Sequence, residues 1–490
     1  MNDPEIPRLA WGMSKRFALA GAIVVVLSAA ATATAGLLEV RDYASAISSG
    51  GKRLSLGNTI TRADAGAPQT ILLLGSDSRV ADRRRGLRGN SDTMILVRLN
   101  PDKRSTALLS VPRDLKVRIR LPNGRTQTDK INAAYSLGGP RLTVRTIKST
   151  LGVDINHVVN INFGGFRRAI DYIGCVYADI DRRYFNQNPA FAEIDLKPGY
   201  QRMCGQRALD YVRFRHDDTD LVRAARQQDF LRQAKDQVGV QKIISDRKAF
   251  ARIFGRYAET DIRGTREILR IFKLAAFSIG RPIREVKFRT SIGPSFVTST
   301  RKQIRLTVNE FLNARDTPGP RGSSTSTAGE REAARRRRRL PRAQFGLENA
   351  KRFGEDQAIA AAASARFPVL YPRLRLAGSV YASDIPRTYA ILDEKRRRHL
   401  AYRMVLKKGS IGEYYGIQGT TWKDPPILSN PSETVRLGRR TFELYVDGNR
   451  LRLVALRTPR AVYWVSNTLL LSLTNQQMLA IAKSLQPVGR

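Results

Sequence analysis

The chain has 490 residues, 42% of them hydrophobic, and 85 Lys and Arg against 43 Asp and Glu leave a formal net charge of +42. That length exceeds one compact core and predicts two or three domains. The charge excludes cationic partners as main ligands and points to anions: nucleic acid, lipid headgroups or phosphorylated polymers.

Residues 1–16 end in Lys15 and Arg16, and residues 17–38 carry no charge. The length suits a membrane-spanning helix, and the flanking basic residues predict a cytoplasmic N-terminus with the bulk of the chain outside. A cleaved signal peptide is the rival reading, because "ATATA" offers small residues for processing. Both export the rest of the chain and disfavour a DNA-binding role. Residues 39–67 read as a stalk or accessory segment.

A pattern-rich domain is expected over 68–313. "TILLLGSDSR" reads as a buried strand that ends at Gly75 and releases Asp77 and Arg79. "NSDTMILVRLN" starts at Asp92 and continues as a strand, and "TALLSVPRD" is a third, ending in Pro112, Arg113 and Asp114. Paired as an antiparallel meander, these strands bring Asp77, Arg79, Asp92 and Arg113 to one rim, where sheet-edge loops commonly bind ligands. Two carboxylates there suit Mg2+, with phosphate oxygens completing its shell. No P-loop and no H-E-x-x-H motif is present, which removes support for nucleotide-hydrolase and zinc-protease chemistry. The histidines, His157, His216 and His399, are scattered and read as structural or surface residues.

Cys175 and Cys204 are the only cysteines. In an exported chain they permit one disulfide, and two unpaired buried thiols are the alternative.

"YVRFRHDDTDLVRAARQQDFLRQAK", Tyr211–Lys235, intersperses arginines with aspartates. "YVRFR" reads as a short strand with Arg213 and Arg215 on one face. "HDDTD" reads as a turn and helix start. Beyond it, Leu221, Ala224, Ala225 and Leu231 suit a packed side, while Arg223, Arg226 and Gln227 share another face. Four arginines near a helix N-terminus suit phosphate or pyrophosphate. A surface helix laced with ion pairs is the other reading.

Residues 314–345, rich in Pro, Gly, Ser, Thr and Arg, read as a flexible basic linker. Residues 346–490 then predict a small α/β accessory domain. It contains a hairpin around Asp447-Gly448-Asn449, a strand at "AVYWVSN", and a helix capped by Thr474 and Gln477. Trp422 and Trp464 suit either a core or a sugar-binding surface.

The stretches "LLLGSDSR", "SDTMILVRL", "LLSVPRDLKVRI", "KINAAYSLGGP", "VVNINFGGFRRAIDYIG" and "ALDYVRFRHDDTDLVRAARQQDFL" together resemble the LytR-CpsA-Psr family, in family order. The resemblance implies a central mixed, largely antiparallel sheet flanked by helices, with an apolar pocket for a lipid chain. It implies a membrane-anchored, Mg2+-dependent phosphotransferase outside the cytoplasmic membrane, moving a glycopolymer from a polyprenyl-pyrophosphate carrier to peptidoglycan. Arg79, Arg113, Arg213, Arg215, Arg223 and Gln227 match the pyrophosphate-binding positions, and Asp77 and Asp92 match the acidic residues near the metal. Asp220 and Arg226 also fall on motif positions. Asp77, Asp92, Arg113, Arg213 and Arg215 form the implied catalytic set. Many members carry an arginine where this chain has Asn90; Arg88 or one of Arg83, Arg84 and Arg85 is the substitute. The rivals are a lipid-pyrophosphate hydrolase, a non-catalytic wall-polymer-binding protein and a transcriptional regulator.

Overall fold

The computed structural model describes residues 54–64, 66–76, 91–103, 105–188, 193–214, 218–237, 258–262, 283–293, 295–314, 346–383, 385–409 and 413–488, with isolated positions near 270. The apolar segment 17–38, the expected linker 314–345 apart from Ala314, and Asp77, Arg79 and Arg215 lie outside the described residues. So do the side chains of Asp92 and Asp220. Among the described residues, no helix is long and apolar enough to cross a membrane.

The first domain is built on β1 (Gln69–Ser76), β2 (Ser91–Asn100), β3 (Ser105–Ser110), β4 (Lys116–Arg120), β5 (Thr126–Lys130) and β6 (His157–Asn162). It continues with β7 (Val176–Ile180), β8 (Tyr184–Asn186), β9 (Ile194–Leu196), β10 (Gly199–Met203), β11 (Ala258–Thr260) and β12 (Ile283–Val286). Six of these form one sheet in the order β11-β6-β1-β2-β3-β12. The expected meander is present: β1 to β2 and β2 to β3 are antiparallel, while β6 joins β1 and β12 joins β3 in parallel. The central strands are apolar runs because both faces are covered.

One face packs against α1 (Ala133–Leu151), which kinks at Gly139-Pro140 and ends on the left-handed Gly152. The core there joins Leu72, Leu74, Met94, Leu96 and Leu109 to Leu142, Ile147 and Phe311. Three further helices matter for the site: α2 (Phe163–Tyr172), α3 (Gly205–Arg213) and α4 (Asp220–Gln237).

Two local expectations are corrected. Tyr211–Arg213 is the last turn of α3, not a strand. Five residues of alternating pattern fit either state, and the helix starts upstream at Gly205, where Ala208, Leu209, Tyr211 and Val212 are buried. In α4, the buried side is not the one led by Leu221 and Ala224, which are half-buried. Ala225 of the expected packed side is buried, but so are Val222, Arg223, Arg226, Gln227, Gln228, Phe230, Arg232 and Gln233. Arg226 is accommodated there by a carboxylate and aromatic rings, and Gln227 by two acceptors.

Cys175 and Cys204 form a disulfide. It joins the residue before β7 to the N-cap of α3.

Residues 346–488 form a second body with its own core, including Tyr402, Met404, Tyr415, Ile417, Leu444, Val454, Val465 and Ile481. Its main sheet has eight strands. The hairpin pairs Asp447 with Arg450, Val462–Ser466 is a strand, and Thr474 and Gln477 make a capping box for Asn475–Lys483. Trp464 is fully buried and Trp422 nearly so, in a cluster shared between the two bodies. Both tryptophans therefore belong to a core and not to an open sugar-binding surface.

Candidate anion site

The rim forms where β1 ends, β2 begins and β6 ends. Ser76 faces Ser91 on one side and Asn162 on the other. Between the pairs Gly75–Thr93 and Ser76–Ser91 the register shifts, so Asp92 is the extra residue of a bulge. Bulges bend a strand and re-aim its side chains, and they recur beside active sites. Val111 donates its N–H to the Met94 carbonyl at 2.8 Å. That bond brings the Pro112-Arg113-Asp114 turn to the same end of the sheet.

Gly75 is a packing requirement here. A Cβ at this position would lie 3.0 Å from Thr93 Cβ and 3.3 Å from Thr93 Oγ1. Thr93 in turn receives the Gln227 side chain: Nε2 donates to Thr93 Oγ1 at 3.1 Å and to the Val212 carbonyl at 3.0 Å. This links α4 to β2 directly beside Asp92. Arg223 lies one turn before Gln227 and is only 4% exposed.

Arg213 enters from α3. Its guanidinium lies over the Phe163 ring, 3.9 Å from the centroid. Phe163 follows Asn162 at the end of β6, and Asn162 Oδ1 caps α2 by accepting from Gly165 N at 2.9 Å. The sheet end therefore presents an aromatic face on which the arginine rests. Such contacts contribute about 0.5–2 kcal/mol depending on desolvation.

Arg113 is largely covered, with Nε 3.6 Å from Asp114 Oδ2, while Lys130 Nζ lies 3.1 Å from Asp114 Oδ1. Asp114 thus balances a cationic pair at the rim.

Arg226 occupies a different environment from Arg223. Its side chain is fully buried, with Nη2 donating to Asp218 Oδ2 at 2.6 Å and to the Phe214 carbonyl at 3.0 Å. Arg182 Nη2 donates to the other Asp218 oxygen at 2.7 Å. The rings of Tyr184, Tyr211 and Phe214 lie against the Arg226 guanidinium. Asp181 accepts from Tyr184 Oη at 2.6 Å, and burial pushes its carboxyl above the usual range against that hydrogen bond. Asp218 is therefore the counter-charge that fixes the loop before α4. This placement gives Arg226 a structural environment, apart from the rim.

Asp210, on α3, accepts from Gln206 Nε2 at 2.7 Å. Burial raises its carboxyl, opposed by that bond and by Arg213 and Arg167.

Among the sequence candidates, the described structure brings Arg113, Arg213, Arg223, Gln227 and the Asp92 backbone to one region. Sequence reasoning missed Thr93, Phe163, Asp218 and Asp210. All four sit inside the motif stretches, but their residue types and spacing carried no sign of these contacts.

A divalent cation can be tested against the donor set. Among the described residues, the one cluster of potential ligands is Asp171, Cys175 and Cys204, and its sulfurs are bonded to each other. Asp114 is committed to Arg113 and Lys130. The carboxylates expected to hold a cation, Asp77 and the Asp92 side chain, lie outside the described residues.

The LytR_cpsA_psr family model matches residues 38–292, just over half of the chain. The chain is 34% identical over 160 residues to biofilm regulatory protein A of Streptococcus mutans, covering 31% of this chain and 39% of that one. It is 31% identical over 197 residues to the polyisoprenyl-teichoic acid–peptidoglycan teichoic acid transferase TagU of Bacillus cereus, covering 40% and 58%. The matches thus span about half the length of these relatives. Among solved structures, TagV of B. subtilis is similar at 27% identity and a TM-score of 0.41, covering 50% of this chain and 98% of that one. Protein gbs0355 of Streptococcus agalactiae is similar at 24% identity and a TM-score of 0.45, covering 50% and 88%.

Proposed function

Because this chain belongs to the LytR_cpsA_psr family, we propose that it is an extracytoplasmic phosphotransferase. It moves a glycopolymer from a polyprenyl-pyrophosphate carrier to peptidoglycan and is anchored by residues 17–38. The observation that carries this reading is that Gln227 reaches Thr93 beside Asp92 while Arg213 rests on Phe163 at the end of β6, with Arg113 on the turn after β3 and Arg223 one turn before Gln227. The hydrogen bond from Gln227 to Thr93 and the stacking of Arg213 on Phe163 support it. The TagU relatives, named as teichoic acid transferases, agree with it.

The guanidiniums hold the pyrophosphate and orient it, and Arg79 and Arg215 join them. Partly buried arginines suit this work because their donors are fixed before the ligand arrives. A peptidoglycan hydroxyl attacks the phosphorus that bears the glycan. The phosphodiester forms as the bond to the polyprenyl phosphate breaks, and polyprenyl phosphate leaves. Asp77 or Asp92 would hold Mg2+, which when bound would neutralise charge on the phosphate oxygens. Whichever of these carboxylates is not engaged with the cation accepts the hydroxyl proton. Asp220, at the start of α4, joins the pyrophosphate-binding set on its motif position, and Arg226 supports the start of that helix through Asp218.

The test incubates the purified ectodomain with Mg2+, a short polyprenyl-pyrophosphate glycan and peptidoglycan oligomers, with products read by mass spectrometry. A phosphodiester-linked adduct, lost in Arg213→Ala and in Asp92→Ala, is expected. Free phosphorylated glycan without adduct would replace transfer by hydrolysis. An adduct undiminished by Asp92→Ala would remove the metal role.

A further inference from the structure

The second body is seated against the back of α4 by buried polar contacts, and these contacts lie on the same helix that carries Arg223 and Gln227. Two routes connect it. In the first, Asp447, at the hairpin of the second body, accepts from the Glu285 backbone N–H at 3.2 Å through Oδ1. Its Oδ2 lies 3.6 Å from Arg232 of α4. Arg232 also contacts Glu285 and Asp229. In the second route, Asp179 on β7 receives Trp464 Nε1 at 3.1 Å and Arg403 Nη1 at 3.2 Å. Asp179 N in turn donates to Gln233 Oε1 of α4 at 3.2 Å. Gln237 completes the attachment, accepting from Tyr177 N at 2.7 Å and donating to Tyr177 O at 2.6 Å.

The seam is closed by apolar packing as well. Tyr177 and Tyr200 of the first domain share a buried cluster with Ile391, Trp422, Tyr445 and Trp464 of the second. The Tyr177 and Trp422 rings meet edge-on at 5.1 Å, and those of Tyr200 and Trp464 at 5.6 Å. At Gly199, whose φ is +117°, an added Cβ would lie 2.3 Å from Tyr389 Oη, so the Tyr389 side chain of the second body packs directly on the Gly199 backbone. Arg403 is 1% exposed and Trp464 0%. A module tethered only by its linker would not bury a guanidinium, an indole and two carboxylates against its neighbour.

We propose that the second domain is a positioning element of the anion site, with Asp447, Arg403 and Trp464 as positioning residues that hold α4 in register against the rim. Arg232 lies about 13 Å along the helix from Arg223 at the α-helical rise. A helix pinned at Arg232, Gln233 and Gln237 presents Arg223 and Gln227 in one fixed place. Released there, it pivots on its N-terminal cap, and small displacements of charged donors have large effects on binding. The name of the ligand rests on the reading under Proposed function; the mechanical coupling does not.

The experiment uses the full ectodomain with both domains present. Trp464→Phe keeps an aromatic ring but removes the donor to Asp179 together with part of the buried indole volume. Asp447→Asn keeps the acceptor for Glu285 N and removes the charge facing Arg232. Both are conservative enough to fold; Arg403→Met, with Arg403→Lys as the rescue, is the stronger test. Amide hydrogen exchange is followed for residues 222–237 and, as an internal control, for the helix at 475–483. Inorganic pyrophosphate affinity in Mg2+ is measured by calorimetry. The expected result is lower protection across 222–237 with 475–483 unchanged, pyrophosphate binding weakened by about three- to thirtyfold, and partial recovery in Arg403→Lys. Unchanged exchange in α4 together with unchanged affinity overturns the proposal. If the parent protein binds no pyrophosphate, the function reading fails, and the exchange pattern alone still decides the coupling.

Discussion

Asp218 carries more consequence than its place in a polar turn suggests. Its carboxylate is 1% exposed and pairs with both Arg182 and Arg226. Removing it takes the directly paired carboxylate from two guanidiniums, with Asp181 as the other nearby carboxyl, in a site lined by Tyr184, Tyr211 and Phe214. Breaking a buried pair from one side typically costs about 3–5 kcal/mol. Asp218→Ala is expected to lower stability by that order in urea denaturation. A loss below about 1 kcal/mol, the level of a surface pair, would show that the site hydrates readily. At the rim, Thr93→Val removes the acceptor for Gln227 Nε2 while preserving shape. Gln227 keeps its bond to the Val212 carbonyl, so the expected destabilisation is only about 1 kcal/mol, that of one neutral hydrogen bond. If the rim works as proposed, pyrophosphate affinity falls more than stability does. Equal losses in both would reduce Thr93 to a packing residue.

At the scale of elements, the disulfide ties β7 to α3. It closes a stretch whose ends are 29 positions apart. Cross-links of that span contribute about 3 kcal/mol on the loop-entropy account. Because α3 ends in Arg213, the bridge also limits how far that arginine can drift from Phe163. Cys175→Ala/Cys204→Ala is expected to lower the melting temperature and loosen pyrophosphate binding. A lower melting temperature with unchanged affinity would confine the bridge to stability.

The central meander was legible because three apolar strands end or begin in Asp and Arg, and buried strands leave that pattern in sequence. The disulfide was legible from cysteine count and export. The last turn of α3 was not, since "YVRFR" is too short to separate a two-residue period from a helical one. Nor was the buried face of α4. Its guanidiniums are satisfied by Asp218, Phe214 and Tyr184, and by Asp447 more than two hundred positions away. Side-chain spacing along one helix carries no trace of such partners.

For the whole molecule, the seam between the domains concentrates charge where water is excluded. Arg232 faces Asp229, Glu285 and Asp447. Arg452 also acts on Glu285 and Asp447, and Arg284 on Asp447, yet desolvation outweighs these cations. Burial pushes Glu285 up to about 8 despite Arg232, with Asp447 and Asp229 adding to the rise. Asp447 is raised by burial as well, opposed by Arg232. The sign of the pH dependence follows from linkage. A carboxyl whose folded pKa lies above its unfolded value contributes fully below the ordinary glutamate range. As pH rises from there toward about 8, the folded state keeps a proton that the unfolded chain has released, and stability declines by up to about 1.4 kcal/mol per pH unit per group. Above that, both states are ionised and the decline levels off. Glu285→Gln removes this contribution and keeps the side-chain volume. The expected result is that the variant loses less stability than the parent between pH 5 and pH 8, so the two unfolding curves diverge with rising pH. Exchange protection in α4 should follow the same divergence, because Glu285 and Asp447 hold Arg232 together. Parallel curves would mean that Glu285 stays ionised against Arg232 throughout, and that the seam is held by a permanent charge pair with no shared proton.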